Sequence, residues 1–448
     1  MSTKSPTLYL GSFNSEQFWR PKRLSKLPAI ADLQADTIVS VMDELGFVFC
    51  DSPDDLLITR LPIDETHKQY LRELGFSFLN NELPLMREEA DLSKSLEKLL
   101  VETENYEHFK KLISSLSDFS PYSILPLTDS FCKNYQLQNP YPDIEGVEKV
   151  NSKLFSHQLS KKLFEDTVGE PIYSAEELER KGDQFLQHSS FLIKDEFGVS
   201  GKGNVLVSSP QILTRIVKYI AKQESTGQQT RFLLEPFLEK QIDFSCQFEI
   251  GSKGQVNIRS IQKMQNAGFA FSGIQTAEAD FQAQLDQLGY FAQVEAIAAA
   301  LDQEGYFGPV CLDSMLLKDG KIVPVVEINA RKSMGLINYY VDRFLSQFSR
   351  QGCLMFFSLG LTYPVTFSEI LDKMRQENIL FLRDKPHGIL PLSSRTLDIN
   401  WKFYKDINYK TYKGRLYVSL VSDDEDSKAL ILDKMNKIFA DLKIQKFN

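Results

Sequence analysis

Val323-Pro324-Val325-Val326-Glu327-Ile328-Asn329-Ala330-Arg331 is an apolar run that turns abruptly polar at Glu327. Glu327 and Asn329 are two residues apart, so on a strand their side chains leave the same face, and Arg331 extends the alternation. Upstream, Val310–Leu317 and Lys321–Ile328 flank Asp319-Gly320, a strong turn signal that predicts a hairpin. Asp313 lies on the partner strand and would reach the same face. Two carboxylates and an amide oxygen are hard donors suited to a Mg2+ ion that bridges nucleotide phosphates. Arg331 would contact a transferred phosphoryl group. A half-solvated strand carrying ordinary polar residues is the plainer reading, and the apolar stretch Val323–Val326 weakens it.

Working outward, Phe191-Leu192-Ile193-Lys194 reads as a strand ending in a lysine. Gly198-Val199-Ser200-Gly201-Lys202-Gly203 follows, and then a second strand, Asn204–Val207. Glycines let backbone N–H groups approach phosphate oxygens, and Lys194 and Lys202 supply positive charge. A Walker A loop would continue with Ser or Thr and a helix. A protein-kinase loop would place its lysine on the strand after the glycines, not before. For the loop alone, a hairpin turn with solvated lysines fits equally well. Arg231–Leu234 is another apolar strand, ending in Glu235-Pro236-Phe237-Leu238. A carboxylate and backbone groups at such a hinge pair with an adenine edge while apolar neighbours sandwich the ring, and Asp243 would accept from ribose hydroxyls. Taken singly, Glu235 and Asp243 also read as surface acids. Arg259 and Lys263 share a strand face whose default reading is solvated.

The 42% hydrophobic and 25% charged fractions are those of a folded globular chain, and 448 residues exceed one ordinary core, so two or three domains are expected. A formal charge of -9 argues against a general nucleic-acid binder or a basic membrane-surface protein. Cys50, Cys132, Cys246, Cys311 and Cys353 are scattered, without CxxC spacing, which predicts reduced thiols in a cytoplasmic protein. The N-terminus has no basic region followed by a sustained apolar stretch, so no signal peptide is expected. Cys353–Val365, the most apolar segment, is broken by Gly360, Thr362 and Pro364 and reads as a core element.

Residues 1–149 alternate strand-like segments (Thr7–Gly11, Gly46–Cys50, Leu56–Thr59, Tyr122–Leu127) with helical spacing at Leu92–Leu100, Glu107–Leu116 and Asp129–Leu137, an α/β pattern. The breaker cluster Asn139-Pro140-Tyr141-Pro142-Asp143 precedes a boundary. Beyond it, Asn151 or Ser152 caps a helix to about Glu165, and Ser174 with Glu177 opens another to about Leu186. A helix is expected over Gln211–Gln223, a hairpin around Gly251-Ser252-Lys253-Gly254, and one long helix over Phe281–Gln303. The tail, 368–448, holds a strand at Arg415–Val421 and an amphipathic helix at Lys428–Leu442.

The order of these parts resembles the ATP-grasp superfamily, and the resemblance covers about Val150–Leu361. A lysine in the first helix (Lys153), a strand lysine (Lys194), a glycine lid (Gly198, Ser200, Gly201, Lys202, Gly203), a hinge glutamate (Glu235), and an acid followed by Glu-x-Asn (Asp313, Glu327, Asn329) carry it. It implies an α/β chain with an α+β grasp portion: a Rossmann-like domain at 1–149, an ATP-grasp domain of two clasping subdomains at 150–367, and a small C-terminal α+β extension at 368–448. It further implies ATP and Mg2+. Lys153 and Lys194 would hold phosphates; Glu235, Pro236, Phe237, Leu238 and Asp243 would hold adenine and ribose; Asp313, Glu327 and Asn329 would hold magnesium. Glu-x-Asn-x-Arg is similar to the amino-acid and carrier-protein ligases of peptide and antibiotic biosynthesis. The sequence departs from several relatives in carrying Pro309 and Val310 where they have an arginine, which leaves Arg331, Lys263 or Arg259 to supply that catalytic charge. The implied activity is an ADP-forming carboxylate–amine ligase working through an acyl phosphate, as a monomer or homodimer, with a small-molecule carboxylate and amine, an amino acid or peptide, as substrates. The alternatives are loading of an amino acid onto a carrier protein's thiol, and a catalytically silent nucleotide-binding regulator. Acceptor choice is expected in the irregular stretch Met264–Gly273 and around Arg331–Asn338.

Overall fold

The computed structural model describes residues 5–137, 140–165, 168–199, 202–267, 270–404, 407 and 409–447. The described strands form three sheets. The first is parallel, ordered β3-β2-β1-β4, from β1 (Thr7–Leu10), β2 (Leu56–Ile58), β3 (Leu79–Asn80) and β4 (Asp118–Pro121). Its central strand β1 is buried along its whole length, as expected of a parallel strand covered on both faces. The second sheet is antiparallel, ordered β5-β8-β6-β7, from β5 (Glu170–Ile172), β6 (Phe191–Val199), β7 (Lys202–Val207) and β8 (Phe232–Pro236).

The third sheet is the spine of the molecule. Its path is β13-β12-β9-β10-β11-β14-β16-β15, from β9 (Lys240–Ile250), β10 (Val256–Ala267), β11 (Ala270–Thr276), β12 (Gly308–Leu317), β13 (Ile322–Asn329), β14 (Cys353–Leu361), β15 (Gly388–Pro391) and β16 (Tyr412–Val421), with β17 (Gln445–Lys446) added to β14. Strand alternation gives this sheet two unlike faces. On one, Phe244, Cys246, Phe248 and Leu312 pack beneath the helices Ala279–Gln287 and Tyr290–Gln303, with Phe244 edge-on to Tyr290 at 5.0 Å. Burying one such side chain contributes about 1.5–3 kcal/mol. The other face carries Ser245, Gln247, Gln262, Asp313 and Glu327, brought into register by the pairings Asp313↔Glu327, Asp313↔Ser245 and Ser245↔Gln262.

Both expected hairpins form. Gly251 N–H donates to Gln255 at the β9–β10 turn, and Leu317 N–H donates to Lys321 at the β12–β13 turn, where Gly320 has φ +86°. Several other expectations need correction. Gly46–Cys50 is not a strand: Gly46–Phe49 ends a 3-10 helix, Met42–Phe49, whose every residue is buried. Tyr122–Leu127 is not one either, because the fourth parallel strand finishes at Pro121 and the Tyr122 N–H makes its last ladder bond, to the Leu10 carbonyl. The helical stretch Leu92–Leu100 is interrupted, since Ser95 caps a new helix, Leu96–Glu102. The long helix over Phe281–Gln303 is broken at Gly289, whose φ of +71° lies outside helical geometry.

We propose 1–149, 150–367 and 368–448 as the chain's divisions. The large sheet runs through the last of them, because β14 pairs with β16 over its full length. Among the described residues no helix is long and apolar enough to cross a membrane.

Candidate functional site

Pro324 lies inside β13 and has no N–H to give the ladder. The strand bulges there, passing from Asp313↔Glu327 to Met315↔Val323, and Ser314 donates its hydroxyl to the Pro324 carbonyl at 2.8 Å. After the bulge, Glu327 and Asn329 stand beside Asp313. Asn329 Nδ2 donates to Asp313 Oδ2 at 3.0 Å, and Arg331 Nη2 donates to Asn329 Oδ1 at 3.1 Å. The Asp313 carboxyl is pushed up to about 7, first by burial and then by the neighbouring Glu327 charge. Among the described residues no group of three or more His, Cys, Asp or Glu side chains is placed to hold a metal ion. The donor set therefore depends on the Asn329 amide. Two adjacent carboxylates on one sheet face fit a small hard cation, and the Asn329 amide beside them adds an oxygen once it turns Oδ1 from Arg331 toward Asp313.

Lys153 reaches this cluster from the first turn of the helix Lys153–Phe164, which Ser152 caps. Its Nζ lies 2.8 Å from Glu327 Oε1 and donates to the Gly198 carbonyl at 2.6 Å. One lysine thus ties the first helix, the glycine turn and the acidic cluster together. In that turn, Gly203 has φ +89°, and a Cβ there would stand 3.0 Å from the Gly198 Cα. Only glycine fits such a position. Ser200 and Gly201 lie outside the described residues, and Lys202 opens β7.

Lys194 on β6 and Glu235 on β8 form an ion pair across neighbouring strands, with side chains only 8% and 10% exposed. The pair lines a cleft whose walls include Leu192 and Pro236 of the small sheet, Phe237 and Leu238 just after it, and Met315, Val323 and Val325 of the large sheet. Lys240, which pairs with Asp243, closes one side. An apolar slot with one polar edge suits a planar heterocycle, and the lysine beside it suits the attached anion. The residues present fit a nucleotide.

Arg331 is held differently. Its Nε and Nη2 donate to Glu16 Oε1 at 2.9 and 2.5 Å, and its guanidinium lies over the Tyr122 ring at 5.8 Å. Burial opposes its charge, but Glu16 holds its pKa above the ordinary arginine value. Glu16 and Tyr122 both come from the N-terminal unit, just after β1 and β4. Sequence reading missed them, because nothing in local spacing relates residues 315 apart. The other Glu16 oxygen, Oε2, is buried with no hydrogen-bond partner. Also missed were Glu196, which accepts from Ser152 Oγ at 2.6 Å, and Asp195, which accepts from Arg20.

Two candidates are not brought here. Lys263 stands opposite Phe244 and so belongs to the sheet's apolar face; its Nζ pairs with Glu278 at 2.5 Å and lies over the Phe281 ring. Arg259 sits in a bulge of β10 and pairs with Glu249, which is opposite Pro309 and displaced along β12 from Asp313. The two therefore do not share a face with one another. The stretch Met264–Gly273 is also more regular than expected: β10 and β11 pair through Ala267↔Ala270, with Gly268 and Phe269 outside the described residues.

No protein-family model matches the chain. Over 249 residues it is 23% identical to the butirosin acyl-carrier protein–L-glutamate ligase of Niallia circulans, a match covering 53% of this chain and 57% of that protein. The chain thus spans little more than half the length of that curated relative. The carboxyaminoimidazole ribonucleotide synthase of Aspergillus clavatus, solved with ATP, superposes with a TM-score of 0.52 at 11% identity, covering 98% of this chain and all of that one at 100%. The biotin carboxylase of Campylobacter jejuni, solved as a β-γ-ATP complex, gives 0.52 at 11% identity, covering 98% and 95%. The chain has the ATP-grasp fold. The three proteins it resembles are a ligase, a synthase and a carboxylase, the last two solved as ATP complexes; in this chain Lys194, Glu235 and the hinge residues gather in the cleft between the two antiparallel sheets.

Proposed function

We propose that this chain is an ADP-forming, ATP- and Mg2+-dependent ligase that activates a carboxylate as its acyl phosphate and passes the acyl group to an amine. The observation that carries the reading is the cleft itself: an apolar slot edged by Lys194 and Glu235 on one sheet faces β12 and β13, which carry Asp313, Glu327 and Asn329 on the other. Adenine would lie against Pro236–Leu238, with its edge toward Glu235 and ribose toward Asp243. Lys194 and Lys153 would neutralise phosphate oxygens, each exchanging its present glutamate partner for the nucleotide. Asp313, Glu327 and Asn329 would hold magnesium, which supplies charge neutralisation between the phosphates.

Arg331 is assigned the charge at the transferred phosphoryl group. A carboxylate oxygen attacks the γ-phosphorus and ADP leaves; the amine nitrogen then attacks the acyl carbon, and phosphate departs as the nitrogen loses a proton. Such chemistry asks for alignment and fixed positive charge more than for a protein nucleophile. Glu16 Oε2, buried and unpartnered, offers an acceptor to a polar substrate group beside Arg331.

Transfer of an amino acid to the thiol of a carrier protein is the second reading, and the relative from Niallia circulans favours it. ADP release measured over a panel of amino acids, with and without hydroxylamine, tests the first step. Hydroxamate formation with one amino acid is expected; ATP turnover with no hydroxamate from any carboxylate would overturn the acyl-phosphate mechanism. Adding candidate carrier proteins then separates thiol from amine acceptors.

A further inference from the structure

The segment after β1 runs where neither the parallel sheet nor the cleft requires it. The helix Glu16–Trp19 is anchored to the N-terminal unit by the Trp19 indole, which donates to the Ile124 carbonyl at 2.9 Å, and to the large sheet's end by Glu16 on Arg331. The chain then crosses to the small sheet. Ser25 N–H donates to the Gln229 carbonyl and Gln229 N–H to the Arg23 carbonyl, both at 2.8 Å, in a strand-like bridge. Gln223 holds the Lys26 backbone at both ends, at 2.9 Å each. Leu27 is buried in the small sheet's own core, among Ile172, Phe191 and Phe232.

At the crossing point stands Arg20. Its Nε and Nη2 reach the two oxygens of Asp195 at 3.3 and 3.0 Å, and Nη1 and Nη2 hold the Leu24 and Ser25 carbonyls. Asp195 is the residue after Lys194, and its Oδ1 also accepts from Phe197 N–H at 3.1 Å, where β6 approaches the glycine turn. A bidentate guanidinium–carboxylate contact fixes direction as well as distance. Here its side chains are only 13% and 9% exposed, so water does little to weaken it.

We infer that Glu16–Leu27 is a brace joining the two sheets across the nucleotide cleft, and that Arg20, through Asp195, is a positioning residue for Lys194. This rests on the reading of Lys194 as a phosphate-binding lysine. The brace sets how far the small sheet stands from Arg331, since Glu16 and Arg20 are one helical turn apart and each grips one wall. It gives the N-terminal unit a hold on the subdomain that carries the glycine turn.

The test is calorimetry of a non-hydrolysable ATP analogue with Mg2+, together with hydrogen exchange of the Phe191–Val199 amides in the ligand-free protein. Arg20→Ala is expected to weaken analogue binding about tenfold, the loss of roughly one charged hydrogen bond, and to speed exchange in Phe191–Val199 but not in the helix Tyr290–Gln303. Arg20→Lys should lose less than Arg20→Ala. Arg20→Ala combined with Asp195→Asn should regain part of the loss, because no buried carboxylate is then left without its cation. If Arg20→Ala binds as the wild type does while Lys194→Ala binds weakly, the positioning role falls. If Lys194→Ala also binds normally, the reading of Lys194 fails instead, and the brace is judged by exchange alone: faster exchange in Phe191–Val199 keeps it, and unchanged exchange overturns it.

Discussion

Lys194 and Lys263 are both strand lysines paired with a glutamate, yet they stand in opposite settings. The Lys194–Glu235 side chains are 8% and 10% exposed at the edge of an apolar cleft, whereas Lys263 and Glu278 are 25% and 57% exposed on the sheet's far face. An ion pair in water is worth little, about 0–1 kcal/mol, because solvent serves either partner as well. A buried pair is held by necessity: removing one partner leaves a charge that neither water nor protein satisfies. A ligand that puts phosphate oxygens on Lys194 must therefore also give Glu235 a donor, as the adenine amine would, while nothing at Lys263 asks for one. The same contrast separates Arg331, sealed against Glu16, from Arg259, paired with the half-exposed Glu249.

Breaking the sealed set should have the largest consequences. Glu327→Ala or Asn329→Ala is expected to abolish ADP formation, by at least about a hundredfold, since each removes one donor from a cation that neutralises the reacting phosphates. Circular dichroism and melting should report a folded protein. Unchanged ADP production in either variant would remove the magnesium assignment. Arg331→Ala should come next, lowering turnover more than the binding of either substrate, because its contact strengthens as phosphoryl charge develops. Loss of ATP affinity with turnover preserved would return Arg331 to ground-state binding. Because this substitution also strips the buried Glu16 of its cation, Arg331→Lys is the companion variant, retaining charge without the two-pronged contact.

How far the sequence could see follows the same line between local and distant causes. The turns at Gly251–Gly254 and Asp319-Gly320 were legible because turn chemistry is local, and so was the common face of Glu327 and Asn329, which needs only the period of a strand. Lys263 shows the limit. Which face it occupies depends on its pairing with Phe244 and on β9's pairing with β12, a register that no single strand encodes. The bulge between Ile258 and Ser260 hid the position of Arg259 in the same way, since counting by two fails across it. Glu16, Tyr122 and Arg20 were invisible because their partners are reached only through the packing of the N-terminal unit on both sheets. Gly46–Cys50 reads as a strand in composition, yet Asp43 and Glu44 beside it accept buried hydrogen bonds from Arg60 and from the Ser394–Thr396 backbone, which favour the tight helical course.

Lys194→Ala sharpens the comparison from the binding side. It should weaken Mg–ATP binding about tenfold to a hundredfold, the equivalent of a charged hydrogen bond worth about 1.5–3 kcal/mol. Part of that loss will come from Glu235, left buried without its cation, so Lys194→Ala with Glu235→Gln should bind better than Lys194→Ala alone if Glu235 serves mainly to hold the lysine. If the double variant binds no better, Glu235 has its own contact with the nucleotide. Affinity unaltered in Lys194→Ala would make the lysine structural.

The smallest effect is expected at Lys263 and Arg259. Each loses a partly exposed partner and a contact with an aromatic ring or bulge, so Lys263→Ala and Arg259→Ala should change ATP affinity and turnover by less than about threefold and stability by no more than about 1 kcal/mol. Lys263 is the more telling of the two. It lies over Phe281 at 5.0 Å, and such a contact contributes about 0.5–1 kcal/mol at an exposed site. A small drop in melting temperature with kinetics intact is therefore the expected result. A large fall in turnover with ATP binding preserved would mean that the sheet's outer face takes part in the reaction, and that exposure is a poor guide to which cations this cleft uses. Lys263→Met decides between these outcomes, since it keeps the apolar stem against Phe281 while removing the charge. If the stem alone restores stability and turnover never falls, the contrast between sealed and solvated cations holds.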